Sequence, residues 1–574
     1  MSKLYIFIKP FMAAMIVSIA IKGIGAVTDI LIPLYLGKVI DEGIVPGDMQ
    51  TVINLCIIML VLTVLTVAFN LWANFISSRA TQGIGEALRN SLYEKIQALT
   101  IKDVDQLQTP SLITRITGDV EQVQRTLLMT TRVIIRAPIL ALGGIILSLM
   151  IDVQLTCIIF AAMAVIGFLS VFIYRAARPY FRKIRQNVDR LTSILRESLA
   201  GVRVIKSFDK AEHEIERFDE QSGQVRANEL KAGTYLAFVS STIALTNGVT
   251  VAALLFASHW RILGAGLTIG EVVTIINYVN QILMAVSQVP RIFMLFSRAN
   301  ISAARINEIM EIDETTDYGK EASPLDETKT LSLENISFSY PKSSARALEN
   351  ISFTVAKGET VAVIGGTGAG KTTLLNLILR LYEPKSGTIT LQGRDIRSYT
   401  KNYLHDTVTA ALQQYNIFAM SIKENITLDR PHDGRRLERS AGAAQIMDFV
   451  ESVEGRFDYK ITQIGSNISG GQKQRLSVAR TLYREAALTV LDDVSSALDY
   501  QTDLRLRAAL KDAYMGKSVL IISQRVSSVK TADKIIVLHG GKVHGTGTHE
   551  ELIQNCAVYR DICRTQNIEI IHNA

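Results

Sequence analysis

Six apolar segments dominate the first half of the chain, at residues 10–40, 50–78, 127–149, 153–178, 233–260 and 269–298. Each exceeds the ~20 residues a helix needs to cross the hydrocarbon of a bilayer. They read as membrane helices, several of which should extend beyond the bilayer. The opening stretch MSKLYIFIKPFMAAMIVSIAIKGIGA looks like a secretion signal, but its apolar character continues through LIPLYLGKVI and Lys22 interrupts it. It reads as a retained first membrane helix.

Charge then orients the helices. The formal net charge is +7, which by itself could suggest nucleic acid. The basic residues, however, gather in the two long connections between apolar segments. Arg175 to Lys231 contains thirteen Lys and Arg, and Arg79 to Arg125 contains six more. In the three short connections the one basic residue beyond Lys38 is Arg261. The positive-inside bias places the long loops and both chain ends in the cytoplasm, giving a multi-pass protein of the cell membrane and no role for nucleic acid. The long loops, SRATQGIGEALRNSLYEKIQAL and VDRLTSILRESLAGVRVIKSF, repeat apolar residues at three- and four-residue steps, so the membrane helices should extend into the cytoplasm as rods. Turns near Ile101 to Gln108 and Ser207 to Glu212 would form their tips.

Polar residues inside the apolar segments are candidates for a pathway: Lys22, Asp29, Asn70, Asn74, Asn277, Asn280 and Gln281. Ions are costly in a bilayer and face a cavity or a partner; hydrogen bonding between helices accounts equally well for each Asn. Lys22 and Asp29 are seven apart, on one helix face but two turns removed, a loose pair at best. Cys56, Cys157, Cys556 and Cys563 lack metal-ligand spacing and read as free thiols.

Past the acidic connector IDETTDYGKEASPLDETKT the composition becomes that of a soluble domain. The expected division is a membrane domain over 1–310, a linker over 311–330 and a second domain over 331–574. Here GGTGAGKT, Gly365 to Thr372, lies between the strand-like TVAVI and the helical TTLLNLILRL, the context a phosphate-binding loop requires. Glycines let backbone N–H groups close on phosphates at a helix amino terminus. Lys371 is placed for the β- and γ-phosphates and Thr372 for magnesium, with Asp492, at the end of the apolar LTVLDD, reaching the metal through water.

ISGGQKQR, Ile468 to Arg475, narrows this reading. It resembles the signature of ATP-binding cassette (ABC) proteins, about twenty residues before the acidic strand as in that family. Other motifs follow in order. Tyr340 in FSYPKSSARAL stands where the family stacks a ring on adenine. Gln413 in AALQQYNIF matches the glutamine that senses magnesium, and SALD (Ser496, Ala497, Leu498, Asp499) matches the D-loop. With SLITRITGDVEQVQ in the first long loop similar to the coupling region, the resemblance covers the chain: an ABC exporter half-transporter. It implies an all-α domain of six membrane helices followed by an α/β P-loop, RecA-like nucleotide-binding domain with a helical subdomain.

The resemblance also implies the site. Tyr340, Gly365, Gly366, Thr367, Gly368, Ala369, Gly370, Lys371, Thr372, Thr373 and Gln413 would bind ATP, and Thr372, Gln413 and Asp492 would hold Mg2+. Ser469, Gly470, Gly471 and Gln472 would act on the opposite ATP, because cassettes of this family dimerise head to tail. A competent site carries a glutamate general base after the magnesium aspartate and a histidine in the switch. Those positions hold Asp493 and Gln524. Asp is one methylene short, and a positioned general base is worth ~10²–10⁴ in rate; Gln524 carries no charge for the transition state. Gln463 also replaces a common acid before the signature.

This pattern is similar to the degenerate-site subunit of bacterial heterodimeric multidrug ABC exporters. The implied partners are a second half-transporter (a homodimer being the alternative), membrane lipid and a hydrophobic transport substrate. The implied activity is ATP-driven export of amphipathic or lipid-like molecules; export of a specific lipid or peptide, or an ATP-binding regulatory or sensor role, are the alternatives.

Overall fold

Long apolar runs without competing turn residues become helices far longer than a bilayer is thick. In this computed structural model the described residues are 4–264, 266–312, 318–326, 328–341, 345–495, 498–514 and 516–567. Among them six helices are long and apolar enough to cross a membrane: Tyr5–Ile44, Met49–Ala98, Thr109–Ile151, Val153–Ala200, Ala211–Leu263 and one beginning at Ile269. The last continues to Met310. The fourth and fifth have 48 and 53 residues, which at the helical rise is roughly 70–80 Å, more than twice the hydrocarbon thickness. The expected long helical extensions are therefore present, unbroken in the fourth and fifth helices.

The chain divides into two units, one of residues 1–97 and 110–312, the other of 98–109 and 313–574. In the first unit the outer surface is apolar. Leu60, Leu71, Phe75, Phe168 and Phe256 are exposed, as suits lipid. Its core gathers Ile30, Leu155, Ile159, Leu254, Tyr278 and Ile282.

Specific polar contacts fix the helices against each other. The Asp152 side chain accepts from Leu155 N, starting the fourth helix, and pairs with Arg261 of the fifth. Asp41 of the first helix accepts from the Thr268 hydroxyl at 2.6 Å and from Gly270 N at 2.8 Å. A carboxylate is thus seated on the amino terminus of the sixth helix, where the dipole favours it. Below the apolar zone the third helix is interrupted by a π-helical turn, Arg115–Asp119. Asp119 accepts from Ser302 and Arg305, and Arg115 reaches Glu308.

The polar residues expected along a pathway find separate partners. Lys22 donates to Asn74 Oδ1 at 3.0 Å, whereas Asp29 pairs with Arg136 at 2.7 Å. Seven residues apart on one helix, Lys22 and Asp29 are served by two different neighbouring helices. Asn247 donates to Asn280, and Asn70 and Asn277 donate back to carbonyls of their own helices.

In the second unit, runs such as TVAVI and LTVLD are buried on both faces, the mark of parallel strands. The strands are β1 (Lys329–Phe338), β2 (Leu348–Ala356), β3 (Thr360–Ile364), β4 (Ser386–Leu391), β5 (Arg394–Asp395), β6 (Val408–Ala411), β7 (Leu488–Asp492), β8 (Ser518–Ser523), β9 (Lys534–His539) and β10 (Lys542–Gly547). One sheet has the order β2-β1-β4-β5 and the other β10-β9-β3-β8-β7-β6, with β6, β7, β8, β3 and β9 parallel. Ligand sites in such sheets form beyond the carboxyl ends of the strands. A helical subdomain with its own core of Ile422, Leu437, Val450, Leu476 and Tyr483 precedes β7. The short helix Ile101–Leu107 belongs to this unit: Thr100 caps it, and the Tyr382 hydroxyl donates to its Asp105.

The approach of the first and sixth membrane helices rests on two glycines. A Cβ at Gly270 would lie 2.1 Å from the Gly37 carbonyl oxygen. Gly270→Ala should therefore force the helix backbones apart and destabilise the protein by about 1–3 kcal/mol. Gly248→Ala, where a Cβ meets nothing within 4 Å, should be neutral. Thermal unfolding of both variants in one detergent checks the contrast.

Candidate functional site

β3 ends at Ile364, and the chain turns through glycines into the helix Lys371–Ile378. The turn can be made only with glycine at its last position. Gly370 has φ +104, and a Cβ there would lie 2.6 Å from the Leu348 side chain. Lys371, 8% exposed, folds back to donate to the carbonyls of Gly365 and Gly366, both at 2.8 Å. Burial lowers its pKa, an effect opposed by Asp493 and Asp492. The lysine is held across its own loop with its charge facing two carboxylates.

Asp492 closes β7 and is 4% exposed. Burial, reinforced by the Asp493 charge, pushes it up to about 6, while Lys371 and the Gln413 backbone N–H act the other way. Asp493 follows with φ +49. Its backbone is held from two sides: its N–H donates to Ile522 O at 2.8 Å, and its carbonyl accepts from Gln474 Nε2 at 3.0 Å. One carboxylate oxygen accepts from the Ser523 hydroxyl at 3.3 Å. Gln524, directly after β8, accepts through Oε1 from the Thr367 hydroxyl at 3.4 Å.

These groups surround one cavity of about 540 Å³. Of the residues singled out in the sequence, Tyr340, Thr367, Gly368, Ala369, Gly370, Lys371, Thr372, Thr373, Gln413, Asp492, Asp493 and Gln524 line it. Gly365 and Gly366 stand behind, in contact through Lys371. At the rim Tyr340 meets Thr373 Oγ1 at 3.2 Å and is wedged edge-on between Phe338 and Tyr382.

The signature lies elsewhere. Ser469 begins the helix Gly470–Tyr483 with a capping box, accepting from Gln472 N while Gln472 Oε1 accepts from Ser469 N at 2.7 Å. Ser469 and Gly470 are exposed, and neither they nor Gly471 and Gln472 are among the residues lining the cavity. A capped helix amino terminus, with its partial positive charge, is thereby presented at the surface. In the D-loop, Ser496 and Ala497 lie outside the described residues. Leu498 N donates to Ser495 O, and Asp499 caps the helix Tyr500–Ala513 by accepting from Thr502 N at 2.9 Å.

Arg346, Ala347, Gly540 and Gly541 of the lining and Gln566 beside it escaped the sequence reading. Arg346 lines the cavity and pairs with Glu349. Gln566, at the end of the last described helix, spans the switch: its Nε2 donates to Gln524 O at 2.7 Å and its Oε1 accepts from Val526 N at 2.9 Å. Its position far along the chain from any motif left no signal in the spacing.

Comparison with known proteins matches this geometry. The family model described as the ABC transporter transmembrane region covers residues 15–286, and the ABC transporter model covers 348–496. The chain belongs to the ABC transporters. It is 31% identical over 568 residues to the uncharacterized ABC transporter ATP-binding protein YfiB of Bacillus subtilis, covering 99% of this chain and 98% of that protein. The ATP-dependent lipid A-core flippase of Chromobacterium violaceum is 28% identical over 546 residues, 95% of this chain and 93% of its own. A bacterial Atm1-family ABC exporter solved with ATP bound shares the fold, with a TM-score of 0.80 at 21% identity over 97% of this chain and 99% of that one.

The protein is thus a half-transporter of the ABC exporter type, with its membrane and ATP-binding domains on one chain and ATP with Mg2+ as its ligands. The cavity suits both. A buried cation facing two carboxylates and an open glycine loop supply the charges and donors that a metal–polyphosphate needs.

Removing the Lys371 charge should cost more than tenfold in ATP affinity at this chain's cavity, because charge-assisted contacts contribute about 1.5–3 kcal/mol. Photolabelling of Lys371→Ala with an azido-ATP would read it, and unchanged labelling would contradict the role. For the Gln566 clamp the readout is hydrogen exchange. Gln566→Ala should speed exchange of the Val526 amide by roughly five- to tenfold, the equivalent of one lost hydrogen bond.

Proposed function

We propose that this chain is one half of a heterodimeric, ATP-driven exporter of amphipathic or lipid-like molecules, working by alternating access in the cell membrane. Its amino terminus and cassette face the cytoplasm. The observation that carries the reading is a separation. Ser469 to Gln472 form an intact signature outside the cavity their own phosphate loop lines. That helix end meets a nucleotide only if a second cassette brings one to it.

Within this chain's own cavity, Lys371 carries the phosphate charge, the Thr367 to Thr373 backbone N–H groups close around it, and the Tyr340 ring receives the base. Thr372, Gln413 and Asp492 hold Mg2+, which neutralises charge on the transferring group when bound. Asp493 is poorly suited to act as base. Its side chain is short, and one oxygen accepts from Ser523. Gln524 brings an amide whose oxygen is engaged by Thr367. The reading is therefore a slow site here and a competent one where the signature meets the partner's phosphate loop. A lipid-like cargo is supported by the flippase relative and by the apolar lining of the membrane unit.

Asp493→Asn should accordingly leave most of the steady-state ATPase rate of the assembled transporter. Ser469→Arg, which sets a bulky cation at the exposed helix end, should lower it by about two orders of magnitude or more while this chain still binds ATP. The two rates are measured in one reconstituted complex. Loss in the aspartate variant alone would reverse the roles of the sites, and equal loss in both would favour a symmetric homodimer.

A further inference from the structure

The membrane unit contains a cavity of about 460 Å³. Arg132, Arg136, Asp29 and Gln281 supply its polar lining, and apolar side chains such as Leu140 and Met284 supply much of the rest. Two guanidinium groups therefore face one carboxylate. Arg136 is paired with Asp29 at 2.7 Å. Arg132 has no ion pair among the described residues. The cavity carries a surplus positive charge.

The hydrogen-bond inventory points the same way. The Nε atoms of both Arg132 and Arg136 are shielded from solvent without an acceptor, and Gln281 Oε1 is shielded without a donor. Unmet groups of this kind cost several kcal/mol in an apolar setting. They persist here because the backbone places them: Arg132 lies in the π-helical turn Thr130–Ile134, and Arg136 opens the regular helix Arg136–Ile151 that follows. Such turns within membrane helices are tolerated where they face protein or a cavity, and they gather at functional sites. The Arg136 side chain is 41% exposed, and both arginines line the cavity with their Nε groups shielded and without an acceptor; the convergence of the two with Gln281 on one cavity favours a ligand.

We propose that this cavity is a binding site for the acidic head group, phosphate or carboxylate, of an amphiphile whose tail follows the apolar lining. The guanidinium fork matches both oxyanions, and Arg132 is the contact left free to make it. The proposal rests on the exporter reading above and adds the charge class of the cargo.

The test uses the assembled transporter in phosphatidylcholine nanodiscs, with n-dodecyl phosphate as probe and dodecyltrimethylammonium as the cationic control. The anion should bind and the cation should not compete for the same site. Arg132→Gln should weaken dodecyl phosphate about tenfold or more, Arg132→Lys should recover only part of that loss because it keeps the charge without the fork, and Asp29→Asn should tighten it. ATP binding by each variant confirms that it is folded. Undiminished affinity in Arg132→Gln overturns the site, as does binding of the cation at equal strength. Competition by inorganic phosphate at the same concentration as the amphiphile overturns the amphiphile assignment. Failure of the two ideas is separable. ATPase stimulation by dodecyl phosphate that ignores Arg132 sinks the site and keeps the export of amphiphiles; Arg132-dependent binding that never stimulates ATPase keeps the site and sinks the reading of such amphiphiles as cargo.

Discussion

Hydrocarbon cannot hydrogen-bond, and the architecture follows from that. A backbone crossing it must satisfy itself, which demands helices. Once a helix of 48 or 53 residues is built, it does not stop at the membrane surface, because nothing in VDRLTSILRESLA breaks it. The long extensions are the continuation of a membrane requirement. The short capped helix Ile101–Leu107 falls in the same unit as the cassette.

The ATP cavity depends on a different economy, that of buried charge. Lys371, Asp492 and Asp493 would each be costly alone; the lysine offsets the two carboxylates, which repel one another. Against the burial of both, Lys371 favours the charged form of Asp492 and Asp492 that of Lys371. A site poised in this way is ready for a polyanion and a divalent cation, which complete the charge balance.

Much of this was legible in the sequence, for physical reasons that differ by region. The membrane helices were visible because length and apolarity are local properties. The phosphate loop was visible because a tight glycine turn between a buried strand and a helix has few chemical solutions, and Gly370 at φ +104 is the residue that needs it. What stayed hidden depends on tertiary neighbours. Lys22 and Asp29 share a helix face, yet Asn74 and Arg136 from other helices claim them separately. The π-helical turn at Thr130–Ile134 interrupts a segment whose composition reads as regular, so Arg132 and Arg136 passed as ordinary residues of an apolar span. Gln566 has no local signature, because its partners at Gln524 and Val526 are some forty residues away.

Gln474 joins two features that have been treated apart. It sits on the signature helix, and its amide holds the carbonyl of Asp493. On the proposed arrangement that helix end serves one nucleotide while Asp493 flanks the other. A tilt of the helix is then a tug on the acidic strand end of the neighbouring cavity. On that arrangement the chain would be a lever with a nucleotide at each arm, and a slow cavity would still feel each stroke of the faster one.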